Sequence, residues 1–218
     1  MSEPLLQGPE RAPAAGDAPD SLVVFLHGYG SNGEDLIALA EPLAQILPRT
    51  HFLSPNAIEP CPGAPNGYQW FPLATLARSE RDTGVVRAAP VLDRWLDRQL
   101  ARFSLPASRL ALVGFSQGTM MALHVGLRRV APVAGILGFS GALARISHLM
   151  DELRARPPVQ LVHGDQDPVV PAWMMFEAVG ALEAMKVPVD WHVSRNTQHS
   201  IAPDGLQVGA DFLKRVLA

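Results

Sequence analysis

A serine hydroxyl becomes a nucleophile only where its turn exposes it and a neighbouring base takes its proton. One serine of this chain has the context for that role. Gly114-Phe115-Ser116-Gln117-Gly118 ends the apolar run RLALVGF and opens the helix-like stretch TMMALHVGLRR. Strand, tight turn and helix in that order form the setting of a GxSxG nucleophile elbow, where glycines two residues either side of the serine make room for strained backbone. The N–H groups at the start of the helix would then face a developing oxyanion. Gly and Ser also suit a plain turn, because both tolerate tight backbone and Ser caps helices, so the pentapeptide alone leaves both readings open. Gly138-Phe139-Ser140-Gly141 offers a contrast: its second glycine follows the serine directly and no strong amphipathic helix comes next. Ser140 therefore reads as an ordinary strand-end residue.

An elbow serine needs an imidazole, and the imidazole works better when a carboxylate fixes its tautomer. In hydrolases built on a parallel sheet, the acid and then the histidine follow the serine in loops after later strands. This chain supplies that order. After VQLVH comes Gly164-Asp165-Gln166-Asp167-Pro168-Val169-Val170-Pro171, in which either acid could serve. After VDWHV comes a polar loop, Ser194 to Ser200, carrying His199. His163 and His192 fall in or at the ends of apolar strands, and His124 lies in the helix after Ser116. An EF-hand beginning at Asp165 would need a glycine where Val170 stands and an acid where Phe176 stands, so a calcium loop is the weaker reading of this segment.

Gly28-Tyr29-Gly30-Ser31-Asn32-Gly33 follows the strand-like SLVVFL and formally matches the GxGxxG of dinucleotide-binding turns. That reading wants an acid about 20 residues on, for the ribose hydroxyls. The corresponding strand HFL runs instead into Ser54-Pro55-Asn56. A hydrolase uses such a loop differently: a backbone N–H just after His-Gly is the second oxyanion donor, beside the N–H following the nucleophile. Those groups would belong to Tyr29 and Gln117.

Positioning these loops requires a sheet. Six short apolar runs read as buried strands, at 21–26, 51–53, 109–115, 133–139, 159–163 and 189–193, continuous rather than alternating, as parallel strands are. Helical periodicity lies between most of them. In 84–103, Val85, Ala88, Leu92, Trp95, Leu96 and Leu100 share one face, while Arg87, Arg94, Asp97 and Arg98 lie off it. Further helices are expected at 33–46, 117–130, 171–185 and 205–217, giving a mostly parallel sheet flanked by helices. The exception is 54–83, rich in Pro and Gly and longer than a simple connection requires, as functional loops often are.

Composition bounds the rest. The chain has 218 residues, 48% hydrophobic and 18% charged, enough for one core, and we expect one domain over 1–218 with an irregular segment at 1–20. A formal charge of −3 with no cluster of basic residues gives no reason to expect nucleic acid. Cys61 is the only cysteine, which excludes an intrachain disulfide and a cysteine-based metal site. The amino-terminal residues lack the pattern of a secretory signal, and no segment approaches the roughly 18 apolar residues of a membrane span, so a cytoplasmic protein is expected.

Taken together, LHGYGSNGEDL, GFSQGTMMAL, FSGAL, HGDQDPVVP and the late QHS resemble the successive blocks of the phospholipase/carboxylesterase family of α/β-hydrolases, which includes bacterial carboxylesterases and acyl-protein thioesterases. The resemblance spans residues 22–200. It implies an α/β-hydrolase fold without a separate lid domain, and cleavage of carboxylic esters, thioesters or lysophospholipids through an acyl-serine. It also implies Ser116 as nucleophile, His199 as base and Asp167 as the orienting acid, with Asp165 structural and no metal or organic cofactor. The chain departs from the family in Asn196-Thr197-Gln198 before the histidine and in Trp70-Phe71-Pro72 in the long loop. Trp70 and Phe71 are candidate substrate contacts there, or simply pack that loop onto the body. The expected partner is a small ester or thioester, with 54–83 a candidate surface for a homodimer. The cross-class alternatives are a catalytically silent binding protein of the same fold and a dinucleotide-dependent oxidoreductase.

Overall fold

The computed structural model describes residues 6–16 and 18–218. Seven strands form the main sheet: β1 (Glu10–Arg11), β2 (Ser21–Leu26), β3 (Thr50–Leu53), then, beyond a small separate ladder of β4 (Glu59–Pro60) and β5 (Tyr68–Gln69), β6 (Leu110–Phe115), β7 (Gly135–Phe139), β8 (Val159–Gly164) and β9 (Val189–Ser194). Their order is β1-β3-β2-β6-β7-β8-β9. Every pairing is parallel except the antiparallel β1 and β3. The continuous apolar runs become the inner strands, and every residue of β2, β7 and β8 is buried, as helices on both faces require.

β9 is the exception among the expected buried strands. It is the sheet edge, and its Asp190 and Trp191 are exposed. Glu10–Arg11, expected as irregular, instead adds the opposite edge, with Arg102 donating to both carboxylate oxygens of Glu10 at 2.8 and 2.9 Å.

The helices are α1 (Gly33–Ile37), α2 (Ala40–Ile46), α3 (Arg78–Phe103), α4 (Gln117–Gly126), α5 (Leu149–Glu152), α6 (Trp173–Ala184) and α7 (Pro203–Leu217). The single helix expected at 33–46 is thus two, and α3 begins six residues before 84, shortening the long loop. The helix after Ser116 stops at Gly126 rather than continuing to Val130, and the short α5 lies outside the expected helices. All six apolar residues assigned to one face of α3 are buried. That packing carries the helix through Pro90, where one backbone hydrogen bond is lost. α4 is buried along its whole length, so the element carrying Ser116 at its head is fixed from every side.

Candidate active site

Ser116 sits where β6 hands over to α4, with φ 53° and ψ −115°. A non-glycine residue rarely holds a positive φ, and such strain persists only where its surroundings enforce it. The enforcement is visible. The Ser116 N–H donates to the Phe139 carbonyl of β7 at 2.9 Å, while its own carbonyl accepts from Thr119 N at 3.0 Å. A Cβ on Gly118 would lie 1.8 Å from the Leu26 carbonyl oxygen, and one on Gly114 would lie 2.4 Å from Thr119 N. Both glycines are therefore sterically required.

The acid loop follows β8. Asp167 is buried, with Oδ1 accepting from Val169 N at 2.8 Å and Val170 N at 2.9 Å. Its Oδ2 accepts from His199 Nδ1 at 2.7 Å. An ionised carboxylate can only accept, so in that last pairing Nδ1 is the donor. Asp165, by contrast, is exposed and accepts from Thr197 N at 3.2 Å, so it holds the approach to the histidine. Gly164 lets that approach come close, since a Cβ there would be 2.3 Å from the Thr197 carbonyl oxygen. His163, buried under the same loop, pairs with the Val170 carbonyl at 2.7 Å and stands 3.4 Å from Asp167 Oδ2. Burial pushes its pKa below the ordinary histidine value.

Ser116 and His199 open onto one cavity of about 400 Å³, shared with Gly28, Tyr29, Phe115 and Ile201. The Phe115 ring lies against the His199 imidazole, with centroids 4.9 Å apart. Gly28 approaches the serine closely: a Cβ on it would sit 3.3 Å from that of Ser116. Among the described residues no acceptor pairs with the backbone N–H of Tyr29 or Gln117. Ser140 is buried and does not border the cavity, although it too has a positive φ, of 46°.

His27, outside the expected set, and the side chain of Gln117, expected only for its backbone N–H, also shape this site. His27 accepts from Ala57 N at Nε2 (2.9 Å), leaving Nδ1–H to donate to the Gly28 carbonyl at 2.7 Å. Burial lowers its pKa and keeps it neutral in this role. The Gln117 side-chain amide spans two backbone groups, accepting from Trp70 N and donating to Phe71 O, both at 2.8 Å. Trp70 Nε1 in turn donates to the His27 carbonyl at 3.0 Å.

Trp70 and Phe71 are thereby placed inside the protein, 1% and 0% exposed, and neither borders the cavity at Ser116. The structure uses them to pack the long loop onto the body. The glycine loop is also accounted for without a dinucleotide. At the start of α1, Gly33 N donates to Asn56 Oδ1 at 2.8 Å, while Glu34 N and Asp35 N donate to Asn32 Oδ1 at 2.9 and 3.3 Å. Amides already satisfied by side chains cannot cradle a pyrophosphate. Among the described residues no group of three or more His, Cys, Asp or Glu side chains could hold a metal ion.

A parallel sheet carrying a strained serine after one strand and a paired acid and histidine after two later ones defines an α/β-hydrolase. The chain belongs to the Phospholipase/Carboxylesterase family, whose model matches residues 10–217. It is similar to the crystal structure of esterase PE8, with 42% identity and a TM-score of 0.94 over 97% of this chain and 99% of that one. Among curated proteins it is 29% identical to acyl-protein thioesterase 1 of Schizosaccharomyces pombe, covering 71% of this chain and 72% of the relative. It is also 25% identical to esterase YpfH of Escherichia coli, over 88% and 82% respectively.

Proposed function

We propose that this protein cleaves carboxylic esters or thioesters through an acyl intermediate on Ser116. The observation carrying this reading is the shared cavity of a strained Ser116 and a His199 tied to Asp167 at 2.7 Å. Ser116 Oγ attacks the acyl carbon while His199 Nε2 takes the hydroxyl proton. Asp167 steadies the resulting imidazolium without taking the proton itself. The negative oxygen of the tetrahedral intermediate is received by the N–H groups of Tyr29 and Gln117, the latter at the positive end of α4. Collapse expels the alcohol or thiol, protonated by His199. Water activated by the same imidazole then releases the carboxylic acid and restores the serine.

Ser116→Ala should lower ester turnover by several orders of magnitude with an unchanged unfolding temperature, as removal of a triad member does elsewhere. A fluorophosphonate should label wild type at Ser116, located by mass spectrometry, and leave the variant unlabelled. Near-normal turnover by the variant, or labelling elsewhere, would overturn the assignment. A silent binding protein would not label at all.

One domain over 1–218 and a cytoplasmic location belong to the same proposal. The first is supported by a single main sheet whose strands run from Glu10 to Ser194, the second by the unpaired Cys61. Among the described residues no helix is long and apolar enough to cross a membrane. A homodimer is supported less by 54–83, whose Trp70 and Phe71 turn inward, than by the exposed Trp173, Phe176 and Trp191.

A further inference from the structure

The cavity at Ser116 has an uneven character. Leu36 and Leu39 from α1 and its linker, with Phe115 and Ile201, give it apolar walls suited to hydrocarbon. Among the described residues that line it, Asp35 is the one carboxylate and there is no Lys or Arg. Its Oδ2 accepts from the Ser31 hydroxyl at 2.5 Å, and Ser31 also borders the cavity, so the carboxylate is held in place rather than free to swing away. Asp35 is exposed and so partly screened by water, but the apolar walls on its cavity side carry no countercharge, which leaves a net negative field in the space they border. The field of Asp35 also reaches buried His27, where it opposes the effect of burial.

We propose that Asp35 is a specificity-determining residue, which makes the cavity favour esters whose lodged portion is neutral or cationic and reject those carrying a carboxylate or phosphate there. This rests on the ester-cleaving function proposed above. It also divides the substrates that the triad alone would treat alike, placing anionic lysophospholipids and dicarboxylic monoesters on the disfavoured side. Asp35 has a competing structural explanation, since it stands in the first turn of α1, where acids are stabilised by the helix dipole. That explanation predicts an effect of substitution on stability alone.

The test compares aryl esters of the six-carbon hexanoic, adipic and 6-aminohexanoic acids, with a parallel set carrying the charge on the alcohol. Charge-to-neutral ratios of kcat/KM are read within each protein, so that effects common to all substrates cancel. A unit charge several ångströms away in a partly solvated site alters such a ratio on the order of fivefold to tenfold. In at least one set, Asp35→Asn should raise the anionic-to-neutral ratio by that factor and lower the cationic-to-neutral ratio. Raising the ionic strength should shrink the wild-type preference. Ser31→Ala, which keeps the charge but frees the carboxylate to turn toward solvent, should weaken the discrimination without reversing it. Active wild type whose ratios are unchanged by Asp35→Asn in both sets would overturn this inference alone. Wild type inert toward the neutral esters would overturn the ester-cleaving reading and this inference with it.

Discussion

Replacing Gln117 by alanine should separate two contributions of one residue, because its backbone N–H and its side chain face different tasks. The side-chain amide satisfies Trp70 N–H and Phe71 C=O, both at 2.8 Å and both buried. Removing it leaves a donor and an acceptor unpaired, at about 1–3 kcal/mol each, or about 2–6 kcal/mol together. In a chain of this size a kcal/mol shifts the unfolding midpoint by about 2–4 °C, so a fall of roughly 4–24 °C is expected, toward the lower end if water enters the vacated space. The backbone N–H survives the substitution. The loop carrying Trp70, which is bonded to the His27 carbonyl just before Gly28, should nonetheless loosen, and since a misplacement of about 1 Å costs up to about a hundredfold, a loss of about tenfold to a hundredfold in kcat/KM is expected. Gln117→Glu sharpens the test. Its carboxyl can donate to Phe71 O only when protonated, so the folded state raises its pKa above the ordinary value of about 4.3. The sign follows: the variant's deficit relative to wild type should be least below about pH 4 and grow as pH rises through the folded-state pKa. Thermal unfolding followed by circular dichroism between pH 4 and 8 measures both variants. An alanine variant melting within about 1 °C of wild type, or a glutamate variant whose deficit ignores pH, would refute the reasoning.

Two further perturbations follow from the same geometry. Asp167→Asn should reduce kcat about 10³- to 10⁴-fold, because an amide can present the wrong hydrogen-bonding partner to His199 Nδ1, whereas Asp165→Asn should cost less than about tenfold, since it only holds Thr197 N. Steady-state kinetics of the two variants decides, and equal losses would reject the distinction. His124, buried in α4, has its pKa pushed down to about 3, first by burial and then by the Arg128 guanidinium, with Glu152 opposing. A histidine held neutral in the fold contributes stability that is present above its unfolded value of about 6.5 and is lost as pH falls toward 3. Urea unfolding at pH 7 and 4.5 should therefore show a smaller loss for His124→Gln than for wild type, and an identical loss would reject burial of the neutral imidazole as the cause.

What could be read from the sequence is what local residues determine. The inner strands were legible because a strand buried on both faces must be apolar throughout, and the loops carrying Ser116, the acid pair Asp165 and Asp167, and His199 because each follows such a strand, whereas the choice of Asp167 over Asp165 came from the family resemblance alone. The edges were not legible. β1 is two residues long and its Glu10 is held by Arg102, 92 positions away, while β9, whose VDWHV was grouped with the buried runs although Asp190 and His192 interrupt it, has no neighbouring strand on one side among the described residues. Likewise nothing in GFSQG indicates that its glutamine side chain would reach Trp70 and Phe71, 47 and 46 residues upstream.

The long loop shows where an overlooked signal lay. Trp70 and Phe71, in a segment broken by Pro and Gly, could have contacted substrate or packed inward, and nothing near them in the chain decides between the two. The deciding residue is Gly84, the first residue of the helix expected at 84–103 but an interior one of α3, where it costs about 1 kcal/mol of helix propensity relative to alanine. A Cβ there would lie 2.1 Å from the Phe71 ring. The gap in the helix is therefore the socket for the aromatic residue, and the two irregularities, a bulky ring in a loop and a glycine in a helix, explain each other. The same contact seats the loop whose backbone Gln117 holds, so packing at Gly84 and hydrogen bonding at Gln117 act together on the loop that meets the His27 carbonyl.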